Sequence, residues 1–331
     1  MRAIRFHEYG EPAEVLRLEQ AEAPIPGAGR VRVRVLACGL NPADWALCRG
    51  LFPKDLPRGI GLDVAGTVDA VGEGVTGVAI GDRVLGPADY VDYSSAGASD
   101  HAVLSFWAPA PAGLDMTQAA ALPMAVETAF RYLAWLGVSE GQTLLVSGGG
   151  TVIGFAAVQI ALLHGARVIT TAGETYAGRL RALGAEVTAH GEGMVERVRA
   201  IAGRAPDLVF DAAPVNMQPA LAPPGGLLPD LVKIADGDPR RVITCGDFEG
   251  ASRLGVRIGL GEAGTGPGGE VMRWDVLSEF ARLAAEGRFS IPVARTFAFE
   301  DWREALEISL SGHARGKLVL LPGAASEANL P

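Results

Sequence analysis

Apolar and polar residues alternate strictly along Arg30-Val-Arg-Val-Arg-Val-Leu36, a period of two that predicts an antiparallel strand with one face toward water. Residues 61–72 (Gly-Leu-Asp-Val-Ala-Gly-Thr-Val-Asp-Ala-Val-Gly) predict another, with glycines where chains approach closely. Gly81-Asp-Arg-Val84 reads as a turn into a third strand, and Pro109, Pro111 and Gly113 punctuate the end of this β-rich region. Beyond about residue 115 the period lengthens. Residues 117–136 predict helix with a break at Pro123. Thr143–Ser147, a glycine turn, helix-forming Gly154–Leu163 and strand-forming Ala166–Thr171 then make one βαβ unit. Helices are expected over Gly178–Leu183, Val195–Ala202 and Leu227–Ile234, alternating with strands over Asp207–Phe210, Arg241–Thr244 and Gly255–Leu260. Strands separated by helices predict an α/β protein with a parallel, doubly wound sheet. A glycine-rich stretch, Gly261–Gly269, is expected to act as a mobile lid. After it come a helix, a strand, a helix over Phe299–Ser311, a last strand over Lys317–Leu321 and a frayed tail from Ala324.

Residues 142–166 lack Asp, Glu, Lys and Arg, a stretch long enough to cross a bilayer. Ser147-Gly-Gly-Gly-Thr151 interrupts it, so a buried strand and a buried helix are expected and no membrane span. The 331 residues allow about two domains. A formal charge of −9 argues against a nucleic-acid partner, which would need a basic stripe. Cys38, Cys48 and Cys245 show no paired spacing and the N-terminus has no apolar run, so a reduced, cytoplasmic setting is expected.

Gly148-Gly-Gly-Thr-Val-Ile-Gly154 follows a strand and opens a helix, the context a dinucleotide fingerprint requires. Gly149, Gly150, Thr151, Val152, Ile153 and Gly154 are therefore the expected pyrophosphate site, where the backbone approaches closely and helix N–H groups are free. Thr151 stands where the fingerprint has its middle glycine. NAD-binding chains place Asp or Glu at the end of the second strand, for the ribose hydroxyls. Here that end reads Thr170-Thr171-Ala172-Gly173, with no carboxylate until Glu174. NADPH is thus expected over NADH, with Thr171, Ala172, Gly173, Tyr176 and Arg179 around the adenosine end, Arg179 suiting a 2′-phosphate.

Six segments taken in order carry a resemblance: Ala37-Cys-Gly-Leu-Asn-Pro-Ala-Asp44, Gly61-Leu-Asp-Val-Ala-Gly66, Val71-Gly-Glu-Gly-Val75, Gly81-Asp-Arg-Val84, Leu122-Pro123 with Thr128-Ala129, and Gly312-His-Ala-Arg-Gly-Lys317. From its first strand to Leu321 the chain resembles the zinc-free medium-chain dehydrogenase/reductases of the quinone oxidoreductase (ζ-crystallin-like) group. The resemblance implies a GroES-like, mostly β catalytic domain split over residues 1–121 and 265–331, around a Rossmann domain over 122–264, with the acceptor in the cleft between them. Zinc-dependent relatives carry Cys where Asn41 stands and His where Leu62 stands, and residues 86–105 lack the cysteines of a structural zinc lobe, so no zinc is expected.

Hydride addition to a quinone or an α,β-unsaturated carbonyl needs no Lewis acid, because the charge delocalises into the acceptor. By resemblance, Asn41 lies beside the nicotinamide ribose and the acceptor and is the best catalytic candidate; Thr128 lies near the nicotinamide, Gly259–Gly264 near its carboxamide, and Lys317 near the cofactor. The acceptor pocket would be bounded by Asn41, Cys48, Phe52, Leu62, Met124 and Leu260. Phe52 stands where the group often has Tyr, which leaves the proton to water, and Tyr176 stands where many members have a basic residue. His101 is read as structural and His190 as a surface residue. The implied protein is an NADPH-dependent quinone or enone reductase, dimeric through an apolar edge strand over Leu254–Leu260. Two alternatives stay open: a pathway-specific enoyl reductase, and an NADPH-binding sensor or structural protein with incidental catalysis.

Overall fold

The computed structural model describes residues 1–213, 226–258 and 272–325. They divide into two compact units, Met1–Met124 with Trp274–Pro331, and Ala125–Arg273.

The first unit opens with strand β1 (Arg2–Phe6), helix α1 (Pro12–Val15) and strands β2 (Arg17–Gln20) and β3 (Val31–Leu40). Helix α2 (Pro42–Cys48) and strands β4 (Arg58–Gly59), β5 (Asp63–Val71), β6 (Arg83–Pro87), β7 (His101–Leu104) and β8 (Ala108–Pro109) follow, then helices α3 (Met116–Ala121) and α4 (Pro123–Leu136), the last reaching into the second unit. The alternation read in the sequence is the burial pattern of β3: Val31, Val33 and Val35 are at most 1% exposed, while Arg32 and Arg34 face outward. β3 pairs antiparallel with β5 on one side and with β7 on the other, and β5 continues into β6 and β8. Their inward faces form one core around Val33, Val64, Trp45 and Phe297.

The second unit alternates strand and helix: β9 (Thr143–Ser147), α5 (Val152–Leu163), β10 (Arg167–Thr171), α6 (Glu174–Ala182), β11 (Glu186–Thr188), α7 (Met194–Ala202), β12 (Leu208–Asp211), α8 (Leu228–Ile234), β13 (Val242–Thr244), α9 (Phe248–Leu254) and β14 (Arg257–Ile258). Among the described residues the sheet runs β11-β10-β9-β12-β13-β14, all parallel. Counted from β9 this is the 3-2-1-4-5-6 order of the doubly wound dinucleotide fold. The uncharged stretch now has its explanation. β9 is buried along its whole length and residues 154–161 of α5 are buried too, so neither element has a wet face to carry charge. No helix among the described residues is long and apolar enough to cross a membrane.

The chain then returns to the first unit through α10 (Leu277–Ala285), β15 (Val293–Ala298), α11 (Trp302–Leu310) and β16 (Lys317–Leu321), which pairs antiparallel with the end of β3.

One expectation needs correction. Leu254 belongs to no strand: Asp247 caps α9 by accepting from Gly250 N at 2.8 Å, and Gly255, at φ +70°, ends the helix in a left-handed turn. The described edge strand is only Arg257–Ile258. β11 and the first turn of α6 are elements the sequence reading did not include. Leu260, the Gly259–Gly264 segment, the Gly261–Gly269 stretch and residues 326–331 of the tail lie outside the described residues.

Candidate functional site

In the second unit, β9 ends in a turn whose geometry leaves no room for side chains. A Cβ on Gly149 would stand 2.1 Å from Thr170 Oγ1, and one on Gly154 would stand 2.1 Å from the carbonyl oxygen of Gly148. Gly148 itself has φ +82°. Thr171 braces the turn: its Oγ1 accepts from Gly148 N at 3.0 Å and its carbonyl from Gly149 N at 2.9 Å. Thr151 is the N-cap of α5, accepting from Gly154 N at 3.0 Å, and its hydroxyl donates to Ala212 O at 3.2 Å. A side chain is therefore useful where the fingerprint has its middle glycine. Among the described residues, the N–H groups of Gly150, Val152 and Ile153 have no internal acceptor. Three free donors at the start of a 12-residue helix fit a pyrophosphate.

The adenosine-end residues lie against this turn. A Cβ on Gly150 would meet Tyr176 Cδ2 at 3.5 Å and Ala172 Cβ at 3.9 Å. Tyr176 is buried with its ring edge-on to Phe155. Arg179 is exposed, its guanidinium 5.2 Å from the Phe155 ring centre and 5.9 Å from that of Tyr176. Gly173 caps α6, whose first residue is the exposed Glu174; His190 is exposed as well. Thr128 is buried on α4. At the end of β12 the buried Asp211 accepts from Thr244 Oγ1 at 2.9 Å and Ala213 N at 3.3 Å, and burial pushes its carboxyl up to about 6.

In the first unit, three expected residues meet at one that sequence reasoning missed. Asp63, fully buried at the start of β5, accepts from Lys317 Nζ at 2.5 Å, Asn41 Nδ2 at 3.0 Å and Met124 N at 2.8 Å. Lys317 Nζ also donates to Asn41 Oδ1 at 2.6 Å, so the amide of Asn41 is held at both ends. Its orientation is fixed by that ring of contacts, which leaves the second Nδ2 hydrogen without an acceptor among the described residues. The signal for Asp63 is present in the sequence: a single carboxylate inside the apolar run Gly61–Gly66, and one of only three lysines opening the apolar strand Lys317–Leu321.

A second buried carboxylate, Asp44, joins the loops on either side. It accepts from Asn41 N at 2.7 Å, Gly61 N at 2.7 Å and Leu62 N at 3.1 Å. Asn41-Pro-Ala-Asp44 is a capping sequence at the start of α2, which is how the sequence could have revealed it. Burial pushes the Asp44 carboxyl up to about 7, against the N–H groups that favour its charge. Leu62 is buried beside it. Cys38 and Cys48 lie fully buried in the core; burial raises both thiols, that of Cys48 to about 12, so neither is a ready thiolate. Phe52, by contrast, is 48% exposed in a left-handed backbone conformation, φ +53°. His101 lies on β7, its Nδ1 2.7 Å from Asp69 Oδ2.

The residues do not fit a zinc ion. The amide of Asn41 is committed to Lys317 and Asp63, Leu62 has no ligand atom, and the Asp63 carboxylate is paired with the Lys317 ammonium group. The described residues contain no group of three or more His, Cys, Asp or Glu able to hold a metal.

Comparison with known proteins gives concordant likenesses. The alcohol dehydrogenase GroES-like domain family matches residues 27–122, and the zinc-binding dehydrogenase family matches residues 183–320. The quinone oxidoreductase of Lama guanicoe is 39% identical over 181 residues, 52% of this chain and 53% of that protein. The chain thus spans about half the length of the curated relatives it matches first. Erythronolide synthase of Saccharopolyspora erythraea is 33% identical over 302 residues, which is 88% of this chain and 8% of that protein. Among solved structures, the quinone oxidoreductase of Coxiella burnetii has a TM-score of 0.77 and 26% identity, covering 97% of this chain and 99% of that one.

Proposed function

We propose that the chain is a medium-chain dehydrogenase/reductase of the quinone oxidoreductase group, and that it reduces quinones or α,β-unsaturated carbonyls with NADPH and without zinc. The observation that carries the reading is the Asn41–Asp63–Lys317 cluster. It presents an oriented amide donor where zinc-dependent relatives place a cysteine ligand.

When bound, NADPH supplies the hydride. The rest is the work of this chain's residues. The N–H groups of Gly150, Val152 and Ile153 take the pyrophosphate. Arg179 takes the 2′-phosphate, and the absence of a carboxylate over Thr171–Gly173 leaves that phosphate unopposed. The free Nδ2 hydrogen of Asn41 binds the carbonyl oxygen of the acceptor, on which negative charge grows as hydride arrives. Lys317 holds the other end of that amide, so the donor is already oriented before the charge appears. Neither Asn41 nor Phe52 is an acid, so water or a hydroxyl supplies the proton.

A second reading has its own support. The likeness to erythronolide synthase runs over 88% of this chain, which favours an enoyl reductase acting on a specialised biosynthetic intermediate. The test is cofactor oxidation by chelator-treated protein, with NADPH and then NADH, against one quinone, one short enone and one enoyl thioester. Turnover of quinone or enone with NADPH that survives chelation supports the first reading, and turnover of the thioester alone supports the second. Nucleotide binding with no turnover moves the protein to a sensing or structural role. Activity lost on chelation and restored by zinc overturns the zinc-free proposal. The reading includes a homodimer built on the β14 edge, which light scattering at micromolar concentration tests directly.

A further inference from the structure

Arg30, just before β3, and Arg32 and Arg34 within it alternate along the chain, and two of the three are matched. Arg30 Nε donates to Asp89 Oδ2 at 2.8 Å, and Arg32 Nε donates to Asp69 Oδ1 at 2.9 Å. Arg34 is exposed and has no ion pair or side-chain hydrogen bond among the described residues. Directly across the sheet from Arg34 stands His101 on β7. His101 Nδ1 is buried 2.7 Å from Asp69 Oδ2 without a hydrogen bond to it, and Nε2 has no hydrogen-bond partner among the described residues.

Both side chains line a cavity of about 500 Å³, with Arg2, Val35, Asp100 and Pro322 in its wall. That volume lies within the range of small-molecule sites. Asp100 is already satisfied: it accepts from Arg2 N at 2.6 Å and from the Arg2 guanidinium at 2.8 and 3.1 Å. The cavity therefore offers one unmatched guanidinium beside an imidazole, with apolar surface from Pro322.

We propose that this cavity is a second binding site, for a small molecule that carries a carboxylate or phosphate group. Arg34 takes the oxyanion with His101 Nε2 beside it, and the short apolar part of the ligand lies against Pro322. No residue of the glycine turn or of the Asn41–Asp63–Lys317 cluster takes part, so the proposal does not rest on the reductase reading.

The experiment is isothermal titration of the intact chain at low ionic strength with inorganic phosphate and, separately, with propionate. Saturable binding of either anion is expected, and the anion that binds identifies the headgroup. Arg34→Gln should weaken that binding about tenfold to hundredfold, the loss of charge-assisted hydrogen bonds. Arg34→Lys, which keeps the charge without the fork, should retain part of it. Arg34 is exposed, so both variants should keep the parent melting temperature, which checks that they fold. No saturable binding of either anion, or binding that Arg34→Gln leaves intact, overturns the proposal.

Discussion

Lys317→Met should destabilise the first unit severely, and the structure says by how much. The lysine side chain is 1% exposed and Asp63 is fully buried, so the substitution leaves a carboxylate with two neutral N–H donors, from Asn41 and Met124, and no counter-charge. Removing one partner of such a pair costs about 3–5 kcal/mol, because the remaining charge stays desolvated. The unit holds about 180 residues, and at about 2–4 °C per kcal/mol for a unit of that size the melting temperature should fall about 6–20 °C. Tryptophan fluorescence follows this unit in particular, since Trp45, Trp107, Trp274 and Trp302 lie in it and only Trp135 lies in the other. The decisive comparison is the double variant Lys317→Met with Asp63→Asn. An amide at position 63 carries no charge; its oxygen accepts from Met124 N, and its NH2 donates to the oxygen of Asn41, which is free to turn once Lys317 is gone, so at least half of the lost stability should return. A single variant within 2 °C of the parent, or a double variant no more stable than the single, would refute the reasoning that a buried charge pair organises the site.

Gly154→Ala places a Cβ 2.1 Å from the Gly148 carbonyl oxygen, which is backbone and cannot turn aside. It should destabilise the second unit by about 1–3 kcal/mol and weaken NADPH binding in a fluorescence titration; unchanged affinity would mean the turn does not hold the cofactor. Arg179→Ala should raise KM for NADPH about tenfold and leave KM for NADH unchanged, and an equal rise in both would remove the 2′-phosphate role. The Asp44 carboxyl titrates near 7 in the fold against 3.8 when free, so the folded chain binds this proton more tightly than the unfolded one. Its contribution to stability is full below about pH 4 and is lost as pH rises through 7, at most about 4 kcal/mol. Urea denaturation from pH 4 to 8 should therefore show the parent losing stability relative to Asp44→Asn as pH rises, and a flat difference would refute the assignment.

The sequence by itself determined what depends on neighbours along the chain. The strict alternation of residues 30–36 could only be a strand with one wet face, and it is. β9, the glycine turn and α5 were legible because a backbone that must pass within 2.1 Å of a would-be Cβ admits only glycine, whatever the rest of the fold does. Short apolar runs carry no such constraint. Residues 254–260 read as strand, and 257–258 are one, yet an aspartate cap and a left-handed glycine put Leu254 at the end of a helix. The Asn41–Asp63–Lys317 cluster was half legible. Asn41 and Lys317 came from the resemblance, but Asp63, which holds both, did not, because Asp63 and Lys317 stand 254 residues apart. Only the pairing of β3 with β5 and with β16 brings Asn41, Asp63 and Lys317 to one point. Strand order and register come from packing whole sheets, and one residue of slip would turn each of these side chains to the opposite face. The individual chemistry of the site is thus written locally, and its convergence belongs to the tertiary structure.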